Sequence, residues 1–510
     1  MTEMVAYRPV LLFPDSFGYL AHAKPFHLEW ARPGGYLAFL WPILQVTSSR
    51  YPIPALQHLM GLVLAVACYA FLLRRGLPRW GATLTVLPLL LDPLQLVLEH
   101  YLLSDALFEL LLVGACLVVL WRPRPGVVAV LVAGLLVAGA ALTRGAGTLL
   151  VVPFLVALVC LRVGWRRLLA FLVAVLVPLV GYAAAYHAAY GQFSITSAGP
   201  RFLYARLAPI VHCDAVRLPA PERGLCPSGP LDRRRVINYY IWGHRQAPQW
   251  TVRPPAGTTQ LAMVADYDHR VVRSQPWVYA RSVLHHFGLG FAPTRTGGIP
   301  GNPATHWLFE DHYWVLDQVI ALGLRPPSAK AGTSYDPAAA SFLASYRRWL
   351  WTPGPLLAVL LLAGAAAAFG AGRSRRSGDR VACGLLVGAC LVPLATGAAV
   401  AGFSWRYQLP QLPLLPLAGA LGIAALVRGR APGREPPGPP LRVLDTLAAR
   451  VRAVPARVAG VVGIVAGALT GLAATLSGWA APGTATGAGA VVGLLVVVLL
   501  MVSRVRARAG

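Results

Sequence analysis

Four short polar stretches interrupt an otherwise apolar chain, and they hold the side chains best suited to acid–base and anion chemistry. The first is Pro14-Asp15-Ser16-Phe17-Gly18-Tyr19-Leu20, followed by Arg32-Pro33-Gly34-Gly35-Tyr36. The second is Glu99-His100-Tyr101-Leu102-Leu103-Ser104-Asp105, with Asp92 a little upstream. The third is Thr143-Arg144-Gly145, and the fourth Ser404-Trp405-Arg406-Tyr407-Gln408-Leu409-Pro410. Carboxylates can accept protons, and guanidinium forks can clamp anions. Simpler roles also fit each residue alone. Asp15 fits a helix cap, Asp105 a charge at a helix N-terminus, and Arg144 and Arg406 anchors at lipid headgroups.

These stretches need helices to position them. Of 510 residues, 56% are apolar and 13% charged, and the mean hydropathy is +0.59. A soluble domain of this length needs a charged surface that such a composition lacks. Several apolar runs reach the roughly 20 residues that cross about 30 Å of hydrocarbon. A net charge of +26 taken alone points to nucleic acid. Its arginines, however, sit in short clusters between apolar runs, where they report topology. No nucleic-acid partner is expected.

Apolar runs at 54–73, 80–98, 104–121, 127–143, 148–162, 168–189, 354–371, 381–402, 408–427, 459–477 and 486–503 predict about eleven spans. Every second connector is basic. Arg74, Arg75 and Arg79 fill the first, Arg122 and Arg124 the third, and Arg162, Arg166 and Arg167 the fifth. The 373–380 cluster, the Arg- and Pro-rich 428–457 segment and the tail with Arg504, Arg506 and Arg508 continue the pattern. These connectors are cytoplasmic by the positive-inside rule. The others, 1–53, 99–103, 143–148, 190–353, 402–408 and 478–485, then face outward, and all four polar stretches share that face. The expectation is a multi-pass plasma-membrane protein with an extracytoplasmic site.

Taken together, Asp15-Ser-Phe-Gly-Tyr-Leu, Arg32-Pro-Gly-Gly-Tyr, Glu99-His-Tyr-Leu-Leu-Ser-Asp and Arg406-Tyr-Gln-Leu-Pro resemble the pattern of GT-C membrane glycosyltransferases. The style is nearest to the phospholipid-carrier-dependent group, the protein O-mannosyltransferases and lipid A aminoarabinose transferases. The resemblance covers roughly 1–190 and 354–428. It implies an all-α polytopic fold: a GT-C-like bundle carrying a large mixed extracytoplasmic loop domain. Residues 1–190 form the N-terminal core with its first outer loop, 191–353 the outer domain and 354–428 the rest of the core. Residues 429–458 form a cytoplasmic Pro/Arg-rich linker, and 459–510 two further spans. The family places a span before the first outer loop. This chain shows none there, so a preceding segment is expected to be missing.

The resemblance also implies roles. The donor is a polyprenyl phosphate sugar, and the acceptor hydroxyl belongs to a glycan, lipid or protein outside the cell. Attack at the anomeric carbon expels the lipid phosphate and inverts that centre. Asp15 stands where the general base is expected. Arg32 is the first choice for the donor phosphate, followed by Arg406 and Arg144, with His100 as a hydrogen-bond donor. Glu99 and Asp105, with Tyr19 and Tyr407 nearby, would orient the acceptor or hold a cation. No cofactor is required; a divalent cation is compatible.

Other features are read from the residues alone. Cys213 and Cys226 lie in the long polar segment, where an oxidising exterior favours a disulfide. Cys68, Cys116, Cys160, Cys383 and Cys390 lie within apolar runs and read as packing residues. The outer segment is rich in aromatics and arginines, including Arg201, Tyr204, Arg206, Tyr239, Tyr240 and Trp242, which suit sugar faces or a membrane interface. A transporter or flippase, and a polymerase or ligase using diphosphate-linked donors, are the rival functions.

Overall fold

The apolar runs become helices, and their breaks fall where the sequence places proline, glycine or a carboxylate. A computed structural model describes residues 2–243, 246–295, 304–309 and 334–428. Pro52–Arg74, Trp165–Tyr190, Arg380–Val400 and Trp405–Val427 are long and apolar enough to cross a membrane. Arg79–Leu91 and Pro93–His100 make a fifth candidate if they form one span bent by 47°. These helices make the chain an all-helical membrane protein.

The count of eleven spans does not stand. Among the described residues there are four such helices, or five with the bent pair. Hydropathy counts apolar length and does not see breaks. Pro93 lacks an N–H and Asp92 caps the new helix through Leu94 N–H at 2.9 Å, so 80–98 divides. The run at 148–162 begins as a 3-10 turn, Gly145–Leu150. Val127–Thr143 and Gly354–Phe369 are apolar but only 17 and 16 residues long. The expected spans at 459–477 and 486–503, and the 429–458 linker, lie outside the described residues.

Inside the bundle, helix Asp105–Leu120 packs on Val127–Thr143, which packs in turn on Trp165–Tyr190. Ala133, Ala138, Ala140 and Ala141 of the middle helix are buried, and Gly134 lies directly against Phe171 and Ala174. Small side chains matter there because lipid tails are as apolar as leucine. Helices associate in a bilayer through close van der Waals approach more than through escape from water.

A second core lies at one end of the bundle. It gathers Tyr7, Leu12, Tyr19 and Tyr36 from the first loop and Val97 and Leu98 from the bent pair. Tyr204, Met263 and Tyr267 join from the outer segment, and Phe403 and Trp405 from the last turn. The first loop, grouped by sequence with the membrane core, therefore shares its core with 191–353. That segment is helical rather than mixed among the described residues. Its short strand Ser334–Tyr335 pairs antiparallel with Tyr7–Arg8. Cys213 and Cys226 are joined, with Cα atoms 6.0 Å apart, and the other five cysteines are free thiols.

Buried Asp92 ties the outer segment to the break between the bent helices. Arg295 Nη1 and Nη2 donate to its two oxygens at 2.6 and 3.0 Å, and the Thr352 N–H at 2.8 Å. Arg295 Nε also donates to Gln408, within the fourth polar stretch, at 2.8 Å.

Candidate active site

Asp15 sits in the first turn of helix Pro14–Ala23, started by Pro14, whose missing N–H costs nothing at that position. Ser16 Oγ accepts from Phe13 N–H at 2.9 Å and donates to the Leu102 carbonyl at 2.9 Å. This docks the helix start against the second polar stretch. The Asp15 carboxylate does not cap the helix. Its Oδ1 accepts from Arg32 Nη2 at 2.6 Å and its Oδ2 from Arg406 Nη1 at 2.9 Å.

The cluster extends on both sides. Arg32 Nη1 donates to Glu29 Oε1 at 2.5 Å. Arg406 Nε lies 3.6 Å from Asp105 Oδ1, which also pairs with Arg144. Three guanidinium groups and three carboxylates thus alternate as Glu29, Arg32, Asp15, Arg406, Asp105, Arg144. Each arginine also lies over an aromatic ring. Arg32 is 5.3 Å from the centre of Tyr19 and 5.7 Å from Trp242, Arg406 5.4 Å from Trp307, and Arg144 5.4 Å from Tyr407. These stacks fix the guanidinium planes.

Gly18 makes the arrangement possible. It lies one turn beyond Asp15 on the same helix, and a Cβ there would meet Arg32 Nη1 at 2.9 Å and Glu29 Oε1 at 3.3 Å.

All six charged residues line one cavity of about 680 Å³, a size suited to a small-molecule group. Tyr19, Tyr407, Trp242, His306 and Trp307 complete the walls used below. Burial pushes the Asp15 carboxyl up, but Arg32 and Arg406 outweigh it and hold the group well below the usual carboxylate range. Burial pushes Glu29 up, and the pull of Arg32 does not reverse that. Burial lowers His306 to about 4. Among the described residues, three cavity atoms have no hydrogen-bond partner: Arg406 Nε, Asp105 Oδ2 and Glu29 Oε2.

Of the residues expected from sequence, Asp15, Arg32, Arg144, Arg406, Asp105, Tyr19 and Tyr407 meet in this cavity. Glu99 and His100 are not among its lining residues. His100 Nε2 lies 2.8 Å from the Tyr7 carbonyl, and Glu99 is held by His58 and Gln95 at 2.8 and 2.9 Å. The reason is local: helix Pro93–His100 ends within the second stretch, so Glu99 and His100 belong to its last turn while Asp105 begins the next helix. Of the outer-segment residues singled out, Trp242 lines the cavity. Sequence reasoning missed Glu29, His306 and Trp307. The Glu29-x-x-Arg32 spacing was a usable signal for the first; nothing local marks the other two. No group of three or more His, Cys, Asp or Glu side chains among the described residues is placed to hold a metal ion.

The fold and site define an all-helical membrane protein with a charged cavity at one end of its bundle. No protein-family model matches the chain, and neither a curated protein nor a solved structure matches it.

Proposed function

We propose that this protein is an inverting membrane glycosyltransferase that moves a sugar from a polyprenyl phosphate carrier to an acceptor hydroxyl on the extracytoplasmic face. The observation that carries the reading is Asp15 held between Arg32 and Arg406 in a cavity of about 680 Å³. A carboxylate and phosphate-matching forks within one cavity are what the transfer requires. The acceptor O–H gives its proton to Asp15 while its oxygen bonds to the anomeric carbon. The carbon–phosphate-oxygen bond breaks, and its electron pair leaves with the lipid phosphate. Arg32, Arg406 and Arg144 hold the charge that develops there. Asp105 orients Arg144 and Arg406, and Tyr19 and Tyr407 shape the acceptor side.

The test is transfer by purified protein from a panel of polyprenyl phosphate sugars, comparing the natural chain with Asp15→Asn. Unchanged transfer by a folded variant would remove Asp15 as base. A transporter reading draws on a different observation, the buried Glu99–Gln95–Glu109 contacts within the helices. Carrier-dependent flux in liposomes with no transfer would favour it.

A further inference from the structure

Asp15 is engaged by both forks. Each of its oxygens accepts from a different guanidinium group, at 2.6 and 2.9 Å, and two cations on one carboxylate make it a poor acceptor of a hydroxyl proton. The same two arginines are the groups a donor phosphate would use. Both have a second carboxylate to turn on. Arg32 is held through Nη1 by Glu29 while Nη2 holds Asp15, and Arg406 reaches Asp105 through Nε.

Resting on the glycosyltransferase reading, we infer that the donor phosphate draws Arg32 and Arg406 off Asp15 and so frees the base, with Glu29 as the positioning residue that keeps Arg32 in place while it changes partner. Three guanidinium groups are balanced by three carboxylates. An incoming phosphate therefore competes with Asp15 for the same forks. Glu29 is suited to the anchor role by geometry. It is 5% exposed, its Oε2 has no hydrogen-bond partner, and Gly18 leaves it room beside Arg32. The consequence is ordered chemistry. Without donor, Asp15 stays clamped and an acceptor alone is not activated; with donor, the carboxylate regains ordinary basicity.

The groups facing Asp15 are Arg32 and Glu29 from the first loop, Tyr19 on its own helix and Arg406 at the start of helix Trp405–Val427. Asp105 acts beyond Arg406, and His306 lies in the cavity wall. The deciding measurement is kcat/KM for the acceptor against pH, at saturating donor, with the full chain in lipid nanodiscs. A freed Asp15 gives an acid limb in the ordinary carboxylate range, about pH 4 to 5. The same limb must persist in Glu29→Gln and in His306→Gln, which assigns it to Asp15. In Glu29→Gln the donor KM rises about tenfold, the loss of one charged hydrogen bond, with a smaller change in kcat. Glu29→Asp restores part of it, and Gly18→Ala, which crowds the same pair, reproduces the rise.

A flat profile down to pH 4 at saturating donor, with transfer still abolished in Asp15→Asn, overturns the release of the base and leaves the glycosyltransferase reading standing. A donor KM unmoved in Glu29→Gln overturns the role of Glu29. Full transfer by Asp15→Asn removes Asp15 as base and overturns the inference, whereas no transfer by the natural chain from any donor of the panel overturns the glycosyltransferase reading itself.

Discussion

Asp105 and Glu109 lie one turn apart on the same helix, and each belongs to a buried cluster of carboxyl groups, yet the two clusters are built in opposite ways. On the cavity side Glu29, Asp15 and Asp105 are interleaved with Arg32, Arg406 and Arg144. On the bundle side Gln95 Nε2 donates to Glu99 Oε1 at 2.9 Å and to Glu109 Oε2 at 2.7 Å. His58 Nδ1 is 2.8 Å from Glu99 Oε2, and His58 Nε2 is 3.3 Å from His100 Nδ1. No arginine or lysine pairs with Glu99 or Glu109 among the described residues. Guanidinium partners fix charge and are exchangeable for an anionic ligand. An amide and imidazoles satisfy hydrogen bonds without fixing a charge, which suits packing between helices. The same residue type is thus held by guanidinium groups in one place and by an amide and an imidazole in the other.

The largest expected effect is on the cavity side. Asp15→Asn keeps an acceptor for one of Arg32 and Arg406, turns an NH2 toward the other and cannot take a proton, so transfer should drop by about a thousandfold in the protein that folds. The contrast weakens if a bundle-side change does as much.

Gly61→Ala breaks the other cluster. Its Cβ would overlap Glu99 Oε1, and Glu99 can move away only by giving up Gln95 or His58. A loss of about 1–3 kcal/mol is expected, seen as a lower unfolding temperature in detergent. An unchanged temperature would show that Glu99 is loosely held.

A pH effect follows from His306. Its folded value is lowered by burial to about 4, while the unfolded imidazole binds its proton near pH ~6.5. Between these values the unfolded chain holds more protons. The His306 contribution is therefore complete above about pH 6.5 and declines as pH falls toward 4. Unfolding temperatures at pH 7 and 5 should differ less in His306→Gln than in the natural chain; equal differences would clear His306 of the effect.

The smallest effect is expected at Glu109→Gln. The shape and the contact with Gln95 survive and no ion pair is lost, so stability should change by less than about 1 kcal/mol and transfer hardly at all. A large loss of transfer would erase the distinction between the clusters and favour proton or ion movement through the bundle.

Much was legible from the linear chain. Apolar length and composition determine a helical membrane protein, because a hydrocarbon core demands internally satisfied backbone. The four polar stretches, the Pro14 start before Asp15 and the two cysteines of the long polar segment are local signals, and the chain states them locally. Only tertiary structure decided how many runs are unbroken helices, because a proline or a 3-10 turn changes the path without changing hydropathy. It also decided which polar residues meet. Asp15 and Arg406 touch across 391 positions, while Glu99, six residues from Asp105, points into a different cluster. Proximity along a chain is set by bonds. Proximity across it is set by the packing of helices, whose faces turn about 100° with each residue.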